Sequence, residues 1–272
     1  MTNSRTRPIY FFGCDMGGWH NKDKAGGDAL AVCKWTSNGL EHVEATADVT
    51  FYPVSGESVL NRKLTDALKE NASVIVCVDA AFSWPEAFRR LVDEIPEGQH
   101  RFTFTLTDGI SNPYLYRETD RFIKKHVLKR NPLTAVGDKF GNNSSKAQAL
   151  VRWFIDKLPD AYRPPFHAWE RDRAGSNLHS IIEVYPAASM KSKRFKKLRW
   201  PPHVQDMDQI GSSDIADAKR CAITGVCYAR EIGVLPAGDG WPSVYCPDHT
   251  LVSEKVRATA RQEGWIFALY DG

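Results

Sequence analysis

Residues 74–85, VIVCVDAAFSWP, constrain this chain more than any other stretch. Five apolar residues in succession, Val74 to Val78, read as a strand buried on both faces, the pattern of a strand covered by helices on either side. The run stops at a carboxylate, Asp79. An ionised carboxylate at the rim of a core costs several kcal/mol unless something pairs with it. The stretch therefore sets a fold class and poses a question: what answers the charge of Asp79?

Two more predicted strands deliver an acid near their carboxyl ends. One is 9-IYFFGCDMGG-18, with Asp15 ahead of two glycines; the other is 180-SIIEVYP-186, with Glu183 before Pro186. Open sheets with parallel strands bind ligands in the crevice beyond the strand carboxyl ends, so Asp15, Asp79 and Glu183 are expected at one edge. A predicted helix, 212-SSDIADAKRCAITGVCYARE-231, adds Asp214 and Asp217. Three residues apart, they share a helical face, beside an apolar stripe of Ile215, Ala218, Ala222 and Val226. Four or five converging carboxylates cannot all stay ionised alone. Two Mg2+ or Mn2+ ions would hold them, as in two-metal phosphoryl-transfer sites. Each acid also has a plainer reading. Asp15 can serve as a turn acid, Asp214 as a helix N-terminal acid, and Glu183 as the partner of Arg117 or of a lysine.

The order of elements around these acids predicts an α/β fold. Strands at 9–14, 28–36 and about 41–52 form an antiparallel ribbon turned at 37-SNG-39, and a helix near 57–70 leads into the strand 74–79. Leu60, Leu64, Ala67 and Leu68 give that helix its apolar face, and Asn71 its C-cap. Further helices are expected at 85–94, 117–129, 144–158, 214–231 and 251–263, with a last strand at 264–270 and a polar surface stretch at 159–177. This is one domain over 9–272 with a helical insertion at about 85–178, preceded by a flexible tail, 1–8.

Bulk properties exclude several classes. A net charge of +3 is too small for a general polyanion binder, so any basic surface must be local. No window approaches the ~20 apolar residues of a membrane span. The six cysteines contain no CxxC pair and read as reduced core residues of a cytoplasmic protein, neither a zinc site nor a disulfide framework.

Taken in order, GCDMGG, VCVDAAFSWP, YRETDRFI, IIEVYPAAS and DIADAKRCA resemble the family catalogued as domain of unknown function 429, a predicted nuclease branch of the ribonuclease-H-like superfamily. The resemblance runs from about residue 9 to the ending EGWIFALY, and EVYPAAS and the D-x-x-DA helix are its more specific pieces. It implies a three-layer ribonuclease-H-like fold around a mixed sheet whose first three strands are antiparallel. It also implies metal-binding acids on the first strand, the fourth strand and a late helix, here Asp15, Asp79 and Asp214 or Asp217. Ribonuclease H proper places a glutamate in its first helix; Glu57 and Glu70 sit only at that helix's ends, so the layout is similar to the resolvase-type branch. The resemblance further implies that Arg117 and Asp120 face the cleft, with Arg117 gripping a phosphate.

The run 191-KSKRFKKLRW-200 interleaves Lys191, Lys193, Arg194, Lys196, Lys197 and Arg199 with Phe195 and Trp200. Basic groups for phosphates and aromatics for stacking suit single-stranded or distorted nucleic acid. The alternative is an exposed amphipathic segment whose aromatics pack inward. Segment 137-GDKFGNNSSK-146 lacks phosphate-loop spacing, and Ser144 reads as an N-cap. The expectation is a Mg2+- or Mn2+-dependent nuclease with DNA or RNA as partner and no membrane. Two rivals stay open. One is a nucleotide-binding phosphotransferase using Gly17-Gly18 as a phosphate turn; the other is a non-catalytic module that binds nucleic acid or protein.

Overall fold

The computed structural model describes residues 7–18, 27–49, 51, 58–94, 109–158, 160–161, 179–201, 205–211 and 213–272. Its centre is a six-stranded mixed sheet. The strands are β1 (Ile9–Asp15), β2 (Asp28–Thr36), β3 (Gly39–Val49), β4 (Ser73–Asp79), β5 (His179–Val184) and, far along the chain, a short Ile266–Phe267 strand. The order across the sheet is β3-β2-β1-β4-β5 with Ile266–Phe267 at the edge. Strands β1, β2 and β3 pair antiparallel, whereas β4 joins β1, β5 joins β4, and Ile266–Phe267 joins β5 in parallel. The α/β class and the antiparallel-then-parallel order expected from the sequence are what the chain adopts.

Side chains alternate across this sheet with period two. Tyr10, Phe12, Val74, Val76 and Val78 face a layer made by α1 (Val59–Lys69) and α4 (Asp138–Lys157), against Leu60, Leu64, Leu150 and Phe154. Phe11, Ile75, Cys77 and Ile182 face the opposite layer, where Ala218, Ala222 and Val226 of a long helix, Asp214–Glu231, cover them. Both faces of the parallel strands are thus buried, as the unbroken apolar run of β4 requires. All six cysteines are buried and free.

The long helix lies hard against the sheet, and two glycines permit it. A Cβ at Gly13 would stand 2.0 Å from the Ala218 carbonyl oxygen and 2.4 Å from the Ala222 nitrogen. A Cβ at Gly225 would stand 2.4 Å from Cys77 Sγ. This contact fixes the helix along β1 and β4, and so fixes where its first turn falls.

Several boundaries differ from expectation, each for a local reason. Helix α4 starts at Asp138 after the N-cap Gly137, so Ser144 lies inside it and its hydroxyl donates instead to the Ala135 carbonyl at 2.9 Å. The C-cap of α1 is Glu70 rather than Asn71, which follows it in the left-handed region at φ +57° and stops the helix there. The helix expected at 117–129 is α3 (Glu118–Ile123) continued by a widened turn over Lys124–Leu128. The last strand divides into Ile266–Phe267 and Leu269–Tyr270, the second pairing with Ser243–Val244. Within the expected flexible tail, residues 7 and 8 are tied down. Arg7 donates to the Asn71 side chain at 2.7 Å, and the Ser73 N–H to the Pro8 carbonyl at 2.9 Å. Residues 1–6, Glu57 and most of the 159–177 stretch lie outside the described residues. The insertion at 85–178 is no appendage, because α4 supplies half of one layer.

Candidate functional site

Parallel pairing sets Asp15 of β1 directly beside Asp79 of β4. Neighbouring strands run about 4.8 Å apart, and both acids fall on the alternation that faces the long helix. Because Ala218 is pressed onto Gly13, the turn before it reaches the carboxyl end of β1 and brings Asp217 and Asp214 with it. Ser213 caps that helix, its hydroxyl accepting the Ala216 N–H at 3.2 Å. Asp214 and Asp217 therefore also sit where the helix dipole favours an anion.

Charge crowding is evident in the two strand acids. Burial, then the charges of Asp217, Asp214 and Asp28, push the Asp15 carboxyl up to about 7. Burial, then Asp15, Asp217 and Glu183, hold the Asp79 carboxyl well above its ordinary value. No described residue makes a hydrogen bond or ion pair to either carboxylate. The charge of Asp79 has no answer from the described protein.

Glu183 and Asp120 are spoken for. Glu183 takes Arg117 Nη1 on Oε2 at 2.9 Å and Nη2 on Oε1 at 2.6 Å, and its Oε2 also accepts the Phe82 N–H at 3.0 Å. Asp120 accepts Arg117 Nε at 3.1 Å and Nη2 at 3.0 Å. The fifth donor, on Nη1, goes to the Glu263 carbonyl at 3.1 Å. Arg117 is only 2% exposed and all five of its N–H groups are engaged. Against the cost of burial, Asp120 and Glu183 hold its pKa above the ordinary value. Arg117 and Asp120 do line the cavity over Asp15 and Asp79, as expected, but with every Arg117 N–H engaged the pair is a buried strut rather than a phosphate grip, and Glu183 follows the plainer of its two readings. That strut holds the turn after Asp79 and, through the Glu263 carboxylate, which accepts the N–H groups of Glu86 and Glu118 at 2.8 Å each, ties three helices together.

The basic run stands apart. Phe195 and Trp200 are buried, so neither ring is free to stack on a base. Residues 193–197 form a short helix capped by Ser192, and the Asp271 carboxylate accepts the N–H groups of Lys193 and Arg194. Lys196 and Arg199 pair with Asp208 and Asp206. None of Lys191, Lys193, Arg194, Lys196 or Lys197 lines a cavity that contains Asp79.

A cavity of about 130 Å3, space for several waters, opens over the acids and is walled by Met16, Leu133, Asn143 and Tyr185 among others. Sequence reasoning missed the clamp that shapes its rim. Lys146 Nζ reaches both oxygens of the buried Asp28, at 2.6 and 2.7 Å, while Asp28 accepts the Gly17 and Phe51 N–H groups at 2.9 and 2.7 Å. Asn143 donates to the Met16 carbonyl at 2.7 Å. The Gly17-Gly18 turn thus spends an amide on Asp28, and Gly18 is pressed against the Asn142 side chain, which leaves little for the nucleotide-phosphate reading. The signal was present: Asp28 opens a buried apolar run as Asp79 closes one.

Among the described residues, no three His, Cys, Asp or Glu side chains are gathered into a ready metal centre. Asp217 turns to Arg220, Nη1 to Oδ1 at 2.7 Å. The donor set nonetheless fits a hard divalent cation: carboxylate oxygens alone, two of them strand-paired and lacking a counter-charge. Asp15 and Asp79 could hold such an ion, with Asp217 and Asp214 at its margin. Among the described residues, no helix is long and apolar enough to cross a membrane. No family model, no curated protein and no solved structure matches this chain. The resemblance to the family of domain of unknown function 429 therefore rests on the quoted residues.

Proposed function

We propose that the chain is a divalent-metal-dependent phosphodiesterase, a nuclease of ribonuclease-H-like design acting on DNA or RNA. One observation carries the reading: Asp15 and Asp79, side by side on parallel strands, are half-buried among like charges and met by no cation of the described residues. Groups so perturbed concentrate at functional sites. Strand order supports it, because the antiparallel-then-parallel sheet puts both acids at the edge where such folds bind ligands. The free cysteines fit a reducing, cytoplasmic setting.

In this reading Asp15 and Asp79 bind Mg2+ or Mn2+, and Asp217, paired with Arg220 through Oδ1, completes the site with its other oxygen. Bound there, the ion neutralises both carboxylates and supplies a Lewis acid and an activated water. Glu183, locked by Arg117, contributes charge beneath Asp79 and fixes the 80–82 turn rather than offering a ligand atom. The exposed lysines of 191–197 supply a sequence-independent hold on the polyanion away from the acids. The test is cleavage of a single-stranded oligonucleotide with Mn2+ by wild type and by Asp79→Asn. Wild type should cleave only with the metal, and the variant should remain folded and inactive. Equal cleavage by the two proteins would overturn the proposal.

A further inference from the structure

With Arg117 spent and the basic run remote, the acid edge still needs a cation for the charge a phosphodiester brings. A second cleft supplies one. It shares Asp79, Leu133 and Tyr185 with the acid-lined cavity, encloses about 490 Å3, within the range of small-molecule sites, and includes Asp217, Arg220, Arg130 and Asn131 in its lining.

Both arginines arrive there by local structure. After the widened turn of 124–128, Lys129 adopts φ +58° and its N–H closes back on the Lys124 carbonyl at 3.0 Å. That left-handed residue ends the helix and swings Arg130 and Asn131 over the cleft. Arg130 is exposed and makes no hydrogen bond or ion pair with a described residue. Arg220 lies one helical turn beyond Asp217 and is 8% exposed. Its Nη1 donates to Asp217 and its Nη2 to the Gly211 carbonyl at 2.5 Å, while its Nε is buried with no partner among the described residues. Buried N–H groups rarely go unpaired. Here one sits on an arginine that lines a cleft, together with a second arginine that no described residue neutralises.

We infer that this cleft is the anion subsite of the reaction proposed above, an inference that rests on that reading for its role: Arg130 and Arg220 take the non-bridging oxygens of a phosphate ester and set it beside Asp79 and Asp217. Guanidinium is suited to this, since its planar fork matches phosphate geometry. Arg220, already pinned to Asp217, keeps its Nε in place. Arg130, free in solution, closes on the ligand.

Calorimetric titration of the full chain tests this with two separate probes, inorganic phosphate in metal-free buffer and Mn2+ alone. Because Arg130 is exposed, Arg130→Gln carries the test without risk to the core. It should weaken phosphate binding by about tenfold or more, the scale of a lost charge-assisted contact. Arg130→Lys should recover only part of it, and Lys255→Gln, at an exposed lysine that lines neither cavity, should change nothing. Mn2+ affinity should be the same in all four proteins. Phosphate binding that is unaltered by Arg130→Gln, equally weakened by Lys255→Gln, or absent from wild type at millimolar concentration overturns the subsite. Wild type that binds phosphate through Arg130 but no Mn2+ supports the subsite and overturns the metal reading instead.

Discussion

Replacing Asp15 by asparagine keeps the shape of the side chain and removes its charge, so it isolates the electrostatic cost of the acid edge. The carboxyl stands at about 7 in the fold against an ordinary 3.8. A carboxyl raised in the fold binds its proton more tightly there than in the unfolded chain. Its contribution to stability is therefore neutral below about pH 4, falls as pH rises between the two values, and is fully unfavourable above about 7. A gap of about three pH units at about 1.36 kcal/mol each is on the order of 4 kcal/mol. Relaxation and the partial exposure of the group reduce that to roughly 2–4 kcal/mol. At about 2 °C per kcal/mol for a chain of this size, Asp15→Asn should melt roughly 4–8 °C above wild type at pH 8 in EDTA. The gain should shrink to almost nothing near pH 4. Because Asp15 is among the charges that raise Asp79, the variant also relieves its neighbour, which keeps the sign positive. Saturating Mn2+ should reverse the order, since only wild type gains from ligand binding. Differential scanning fluorimetry across pH, with and without metal, reads all of this. A variant that melts below wild type at pH 8 without metal would refute the reasoning, for it would mean that the carboxylate makes a structural contact.

Two further substitutions probe the supports of the edge. Arg117→Ala leaves Asp120 and Glu183 buried without their cation, which should cost about 3–5 kcal/mol; a denaturation midpoint equal to wild type would show that the strut is not needed. Gly13→Ala puts a methyl group 2.0 Å from the Ala218 carbonyl oxygen, and backbone cannot yield as a side-chain tip does. It should destabilise by about 1–3 kcal/mol or more and, by lifting Asp217 away from Asp15, weaken Mn2+ binding. Loss of stability with metal affinity intact would detach the helix from the site.

The sheet was legible because its signals are local. The unbroken run of β4 announced burial on two faces, and its place after a helix announced a parallel crossover. The positions of Asp15, Asp79 and the Asp214/Asp217 pair were legible because each closes a strand or opens a helix, places a linear pattern reveals. Partners distant in sequence were not legible. Glu183 and Asp120 carry the same terminal-acid signature, yet Arg117, 66 residues from Glu183, absorbs both. The Asp28–Lys146 clamp spans 118 residues and hid in a segment that resembled a failed phosphate loop. Phe195 and Trp200 alternate with lysines as a stacking platform would, but burial is a property of the fold, and they pack inward. Arg130 sits beyond a left-handed turn that no residue type demanded.

Anomalous diffraction from crystals grown with Mn2+ tests the central claim most directly, namely that a divalent cation answers the charge of Asp79. The account predicts an anomalous peak contacting carboxylate oxygens of both Asp15 and Asp79, lost in crystals of Asp79→Asn. Peaks confined to other surfaces, with those two carboxylates left bare at saturating metal, would contradict it.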